Sequence, residues 1–199
     1  MRILFTGGGT AGHVTPNLAL MRRLLAEGWQ VDYAGSKSGV ERELVAAVPG
    51  VAYHAISTGK LRRYFSWQNF ADPFRILRGV CEARRLIRQC RPDVIFSKGG
   101  YVSVPVVIAA GKTPVVAHES DLTPGLANRI AARYADRVCV TFADTARHIS
   151  GGRAVHTGTP IRPELYAGDR ARALAFTGLS GQKPVLLVMG GSSGAQRLN

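Results

Sequence analysis

The chain has 199 residues, 46% of them hydrophobic and 20% charged, which is enough apolar material for a globular core and excludes a wholly disordered chain. Its 26 Lys and Arg residues outnumber its 13 Asp and Glu residues, so the formal net charge is +13. Such a charge favours a negatively charged partner, whether nucleic acid, an anionic membrane surface or a phosphorylated substrate.

Short apolar runs alternate with amphipathic segments along the chain. In chain order, the predicted strands cover residues 3–5, 31–34, 51–56, 93–96, 113–117, 137–140, 154–156 and 185–189, and the predicted helices cover residues 16–27, 41–48, 73–88, 104–110, 124–134 and 170–177. Thr-Pro at residues 15–16 and Asp-Pro at residues 72–73 predict helix starts. This alternation predicts a Rossmann-like parallel sheet flanked by helices, with the ligand at the carboxyl ends of the strands.

The cysteines and the apolar runs restrict the cellular context. Cys81, Cys90 and Cys139 form no CxxC pair, so we predict no disulfide framework and no zinc site, and a reducing compartment fits. The first apolar run is too short for a signal peptide, and no stretch of about 18 apolar residues could span a membrane. We therefore expect a chain that is soluble or lies on a membrane face.

A glycine-rich loop, GGGTAGH at residues 7–13, follows the first predicted strand and precedes a helix. Glycines let the backbone approach a ligand closely, and a helix N-terminus offers N–H groups that suit phosphate. The pattern therefore favours a phosphate-binding loop over a plain tight turn, although it is not a Walker A loop and is not a good GxGxxG fingerprint for dinucleotide binding. His13 is a candidate acid–base residue or phosphate donor; the alternative is a structural histidine.

Two further segments follow predicted strands. In KGGY, at residues 98–101, Gly99, Gly100 and Tyr101 either bind a second phosphate or pack the loop. In HESD, at residues 118–121, Glu119 and Asp121 form a carboxylate pair that could act as a general base or cap the next helix. The His-x-Glu spacing lacks two further ligands, so we predict no metal.

The segment GKLRRYFSWQNF, at residues 59–70, interleaves basic and aromatic residues. We favour contact with a bilayer interface. The predicted membrane residues are Arg62, Arg63, Phe65 and Trp67. Stacking on single-stranded nucleic acid, or a solvated charged face with its aromatics turned into the core, are the alternatives. Further along, TGTPIRP at residues 157–163 resembles a linker, so we predict one domain over residues 1–163 and the start of a second over residues 164–199.

Six stretches, in order, resemble the MurG family of bacterial glycosyltransferases: GGGTAGHVTPNLAL, KLRRYFSWQNF, FSKGGYVSVPVVIAA, HESDLTPGLANRIA, TGTPIRPEL and GGSSGAQRLN. The resemblance implies the N-terminal, acceptor-binding half of a GT-B fold, followed by the beginning of a donor-binding domain. It implies an inverting transfer of N-acetylglucosamine (GlcNAc) from UDP-GlcNAc to undecaprenyl-pyrophosphoryl-MurNAc-pentapeptide (lipid I) in peptidoglycan synthesis, with no cofactor or metal.

The resemblance also assigns residues. Thr10, Ala11 and Gly12 match the loop that meets the sugar nucleotide, and His13 matches the family's candidate base. Asp121 stands where the family commonly has asparagine, and Ala11 stands where it usually has glycine. The other implied substrate contacts are Asn128, Arg162 and Ser192.

The resemblance further implies a peripheral protein on the cytoplasmic side of the bacterial cell membrane. Its implied partners are UDP-GlcNAc, lipid I and the anionic membrane surface, with no nucleic acid. Because most of the second domain is missing from these 199 residues, we expect them to be weak or inactive alone. Two alternatives stay open: a related GT-B glycosyltransferase acting on another lipid, such as diacylglycerol, and a non-catalytic membrane acceptor module of a two-chain transferase.

Overall fold

The computed structural model describes residues 1–59 and 68–188, the side chains of residues 68–71 excepted. The chain divides into two compact units, one over residues 1–160 and one from residue 161 onward. Several predicted site residues lie outside the described residues: Arg62, Arg63, Phe65, Trp67 and Ser192.

Seven parallel strands form one sheet in the first unit. They are β1 (Arg2–Thr6), β2 (Gln30–Ser36), β3 (Val51–Ile56), β4 (Val94–Ser97), β5 (Val115–Glu119), β6 (Arg137–Val140) and β7 (Ala154–His156). Their order across the sheet is β3-β2-β1-β4-β5-β6-β7, so strands are added on one side of β1 up to β3 and on its other side from β4 onward. Ligands of doubly wound sheets bind at such a switch point, beyond the carboxyl ends of the strands. The predicted parallel α/β fold is confirmed.

Helices cover both faces of the sheet. They are α1 (Thr15–Ala26), α2 (Val40–Ala46), α3 (Gln68–Cys90), α4 (Val104–Ala109) and α5 (Leu126–Tyr134), with α6 (Arg170–Thr177) in the second unit. Successive strand residues face opposite sides. Phe5 packs in one buried cluster with Met21 of α1, while Leu4 packs in the other with Val80 of α3 and Val106 of α4. Within the described ranges, no helix is both long and apolar enough to cross a membrane.

Both predicted cap-and-proline starts are wrong in detail. Thr15 lies inside α1, and its hydroxyl donates to the Ala11 carbonyl (3.0 Å) instead of accepting from a helix N–H. Helix α3 begins before the predicted start and carries Pro73 internally. Asp72 lies inside α3, four residues after its first residue, and its buried carboxylate pairs with Arg75 at 3.4 Å.

The second unit confirms one predicted element and corrects another. The Asp169 side chain accepts from the Arg172 N–H (3.1 Å) at the start of α6, and Gly178 ends this helix at φ +71°. The predicted strand at residues 185–189 is wrong over its described part, since residues 184–188 have no regular structure. A strand needs a hydrogen-bonded neighbour, and no described strand lies beside these residues, which leaves Leu186 88% exposed.

Candidate functional site

The loops that follow β1 and β4 meet at the carboxyl edge of the sheet. The Gly8 N–H donates to the Gly99 carbonyl (3.3 Å). Gly100 adopts φ +77°, and a Cβ added there would overlap the Gly8 carbonyl. A Cβ on Gly99 would likewise overlap the Asn128 side chain. Gly100 therefore allows the two loops to pack closely and Gly99 allows close packing against α5, while their predicted contact with phosphate stays a prediction.

In the first glycine loop, some backbone N–H groups already donate to protein acceptors and others do not among the described hydrogen bonds. The Gly8 N–H is used as above, and the Gly9 N–H donates to the buried Glu41 carboxylate (3.2 Å). Among the described hydrogen bonds, none uses the amides of the next three residues, Thr10, Ala11 and Gly12. Thr10 and Gly12 are exposed. The available donors for an anion thus fall on the predicted residues.

His13 is half-buried at the end of this loop, and its Nδ1 lies 2.8 Å from the Thr10 hydroxyl. With Nδ1 protonated and donating to this hydroxyl, Nε2 is the basic nitrogen. Burial and the positive charge of Lys98 lower the pKa of His13, and the opposing effects of Asp121 and Glu119 do not reverse this. The ring is therefore neutral near pH 7 and able to accept a proton.

Lys98 is a member of the site that the sequence analysis did not identify. It is 0% exposed at the end of β4, and its Nζ donates to the Ser120 hydroxyl (2.8 Å). Burial lowers its pKa, although Glu119 and Asp121 act in the opposite direction. Buried lysines are rare. The sequence does carry a signal for this position: the lysine directly follows the run VIFS, in which a predicted strand ends, and directly precedes a glycine loop, where site residues are expected.

Glu119 holds the turn that follows β5. Its Oε1 accepts from the Asp121 N–H (2.8 Å), and its Oε2 accepts from the Gly125 N–H (3.3 Å) and from Asn128 Nδ2 (2.9 Å). Glu119, rather than Asp121, therefore supports the start of α5. Because both oxygens already accept hydrogen bonds, this geometry favours a positioning role for Glu119 over proton transfer. Asn128 is also buried in this network, away from solvent.

Asp121 and Tyr101 complete the edge. Asp121 is exposed and close enough to His13 to act on its pKa. The Tyr101 ring lies against the Gly9 backbone, where an added Cβ would overlap it.

The structure thus gathers most predicted residues at one edge: Thr10, Ala11, Gly12, His13, Gly99, Gly100, Tyr101, Glu119, Asp121 and Asn128. Arg162 is exposed in the second unit.

Asp32 lies in a separate cluster of titratable side chains within the sheet. His54 Nε2 lies 2.7 Å from Asp32 Oδ1, and Arg2 Nε lies 3.5 Å from Asp32 Oδ2. The Cys90 thiol is 3.8 Å from the same carboxylate. Aspartate, histidine and cysteine together could ligate a metal ion. The guanidinium beside the carboxylate already balances its charge, so we assign this cluster to holding β1, β2, β3 and α3 together.

Residues 3–140 match the glycosyltransferase family 28 N-terminal domain, and the chain belongs to that family. Over 200 residues it is 53% identical to the "UDP-N-acetylglucosamine--N-acetylmuramyl-(pentapeptide) pyrophosphoryl-undecaprenol N-acetylglucosamine transferase" of Clostridium botulinum. It is 51% identical to the protein of that name from Geobacillus thermodenitrificans. Each match covers 100% of this chain and 56% of the relative, so the chain spans about half the length of these curated relatives.

A solved structure agrees with these relatives. The crystal structure of Acinetobacter baumannii MurG superposes on the chain with a TM-score of 0.67 at 28% identity. The match covers 82% of this chain and 46% of that protein. The resemblance read from the six sequence stretches is thereby confirmed at the level of the family and the fold.

Proposed function

We propose that this chain is the acceptor-binding half of an inverting glycosyltransferase that moves GlcNAc from UDP-GlcNAc to lipid I. The observation that carries the proposal is the pairing of a neutral His13 with the unused amides of residues 10–12 at the carboxyl edge. A base and an anion-binding loop side by side fit a reaction that removes a proton and expels a diphosphate. The names of the relatives supply the two substrates.

In this mechanism the 4-hydroxyl of the muramoyl sugar attacks the anomeric carbon of GlcNAc. The carbon–oxygen bond to UDP breaks as the new bond forms, which inverts the configuration without a covalent intermediate. His13 Nε2 takes the hydroxyl proton. The amides of residues 10–12 stabilise nearby negative charge, to which the buried Lys98 adds a positive potential.

Peripheral membrane association on the cytoplasmic side is part of the proposal. Helix α3 carries two exposed apolar side chains, Phe74 (75% exposed) and Leu77 (63% exposed), each next in sequence to a basic residue, Arg75 or Arg78. Apolar residues beside basic ones suit an anionic bilayer surface. In the sequence, this helix begins directly after Trp67, the last of the predicted membrane residues.

The proposal is tested with the intact enzyme, purified and supplied with labelled UDP-GlcNAc. Lipid I and diacylglycerol are offered separately in identical vesicles, and the labelled lipid product is counted. We expect label on lipid I alone, with the anomeric centre inverted. Label on diacylglycerol alone would support the alternative glycosyltransferase, and no transfer to either lipid would contradict the proposal.

A further inference from the structure

A polar cleft of about 400 Å³ lies at the carboxyl ends of β2 and β3. Its described lining includes three basic residues and no acidic one: Lys37, Arg75 and Arg78. Aliphatic hydroxyl groups also line it, from Ser36, Ser38, Ser57 and Thr58. Guanidinium, ammonium and hydroxyl donors without a competing carboxylate fit an anionic ligand.

Carboxylates outside the lining hold the two arginines in place. Arg75 Nη1 lies 3.4 Å from Asp72 Oδ1, and Arg78 Nε lies 2.9 Å from Glu82 Oε1. Each of these contacts uses only part of a guanidinium, which has five N–H donors. The two pairs cancel in charge, so Lys37 supplies the net positive charge, and the remaining guanidinium donors supply hydrogen bonds to a ligand.

Glu82 joins two walls of the cleft. Besides its contact with Arg78, it accepts from the Ser57 N–H (2.6 Å) and the Ser57 hydroxyl (3.2 Å). Burial disfavours the charged carboxylate, but the hydrogen bonds from Ser57 and Arg78 outweigh it and lower the pKa of Glu82. The ionised group thus fixes α3 to the loop after β3, so the donors are ordered before a ligand arrives.

Tyr101 connects the cleft to the site around His13. Its side chain lines the cleft, and its ring lies against the Gly9 backbone of the first glycine loop. The cleft therefore lies beside the position that a sugar bound at His13 would occupy. On lipid I, the reacting 4-hydroxyl is next to the carbon that carries the peptide, and the same sugar carries the pyrophosphate, so both of its arms are anionic.

We propose that this cleft binds an anionic arm of the lipid-linked acceptor and so contributes to acceptor specificity. The shared chemistry is a phosphate or carboxylate oxygen that accepts from Arg75, Arg78 and Lys37. This inference rests on the proposed function, since it takes lipid I as the acceptor.

The test compares Arg75→Gln/Arg78→Gln with the control Arg85→Gln/Arg88→Gln in the intact enzyme. The control removes the same charge from exposed positions of α3 that do not line the cleft. A short-chain, water-soluble acceptor removes any contribution from membrane binding. We expect the cleft variant to raise the KM for acceptor at least tenfold, with the KM for UDP-GlcNAc within about twofold, and the control to change neither.

Two further arms separate the outcomes. A second acceptor, with its peptide trimmed to the first residue and that residue's carboxyl group amidated, identifies the bound group: an effect that persists assigns the pyrophosphate, and one that vanishes assigns the peptide carboxylates. Binding of the soluble acceptor, measured in the absence of UDP-GlcNAc, tests the role of the cleft independently of catalysis. We expect the cleft variant to bind the acceptor about tenfold more weakly than the wild type. Equal binding by wild type and variant, or an equal loss in the control, would overturn the inference. A wild type that binds acceptor but transfers nothing would instead count against the proposed function.

Discussion

The proposed role of His13 can be tested most directly, because its ring must be neutral to accept a proton. Replacing it with Ala removes the base but leaves the loop amides in place. We expect His13→Ala to lower kcat by about 10²- to 10³-fold, while acceptor binding stays within about twofold. Steady-state kinetics of the intact enzyme and a separate binding titration measure the two effects. An equal loss of turnover and binding would indicate a structural histidine.

Lys98 and Asp121 act on His13 with opposite signs. We expect Lys98→Met, which keeps most of the side-chain volume, to raise the pKa of His13, and Asp121→Asn to lower it. The acidic limb of the profile of kcat/KM against pH should move in the same directions. Titration of the His13 ring by NMR checks this without relying on activity. Shifts in the same direction for both variants would show that these charges do not set the protonation of His13.

At the scale of elements, the contact between the first two glycine loops depends on Gly100. An alanine there would meet the Gly8 carbonyl and adopt φ +77°. We expect Gly100→Ala to lower the free energy of unfolding by at least ~2 kcal/mol. Gly152→Ala is the matched control, because Gly152 has φ +62° and open space around its Cβ position; about 1 kcal/mol is expected there. Equal losses in urea unfolding would contradict the loop contact.

His118 fastens the end of β5 to the segment after β7, since its Nε2 donates to the Gly158 carbonyl (2.8 Å). Burial lowers the pKa of His118, and its hydrogen bond to Gly158, which acts in the opposite direction, does not reverse this. As the pH falls, His118 of the unfolded chain therefore takes up a proton at about pH 6.5, and His118 of the folded chain does so only at a lower pH. Stability should be fully present above that pH and fall as the pH drops through it.

Urea unfolding at pH 7.5 and pH 5.5 measures this dependence. In His118→Gln, whose amide can still donate to Gly158, we expect a smaller loss of unfolding free energy between the two pH values. An unchanged loss in the variant, or a gain in stability on acidification of the wild type, would contradict the assignment.

The sequence predicts the elements better than their contacts. Apolar runs such as the one at residues 3–5 and the amphipathic spacing of α3 follow from local periodicity, and both elements form. The hydrogen bond from Lys98 to Ser120 joins residues 22 positions apart, so no local pattern shows it. Glu119 bonds to nearer partners, at most nine positions away, but the choice of Glu119 over Asp121 as the acceptor depends on the shape of the turn after β5. The predicted strand at 185–189 fails because pattern alone supplies no neighbouring strand.

At the scale of the whole molecule, the net charge of +13 and the exposed side chains of α3 bear on membrane association. We expect Phe74→Ser/Leu77→Ser, and separately Arg62→Ala/Trp67→Ala, to reduce binding to anionic vesicles several-fold. The loss from the arginine variant should be clearest at low salt, where charges are least screened. Co-sedimentation with vesicles measures the bound fraction.

The matched control is Tyr134→Ser/Val155→Ser, which removes two exposed apolar side chains from other elements. It should leave vesicle binding unchanged. If α3 and the basic segment do not face the bilayer, all three variants will partition as the wild type does.

Whether this half of the molecule holds the acceptor is tested most directly by equilibrium binding to the 199-residue chain itself. The soluble short-chain form of lipid I and UDP-GlcNAc are titrated separately by calorimetry at one salt concentration. We predict that the acceptor binds and that UDP-GlcNAc binds at least tenfold more weakly, because the cleft beside Tyr101 is assigned to the acceptor, whereas in this chain only the amides of residues 10–12 are assigned to the diphosphate of UDP-GlcNAc. Tighter binding of UDP-GlcNAc than of the acceptor would contradict this assignment.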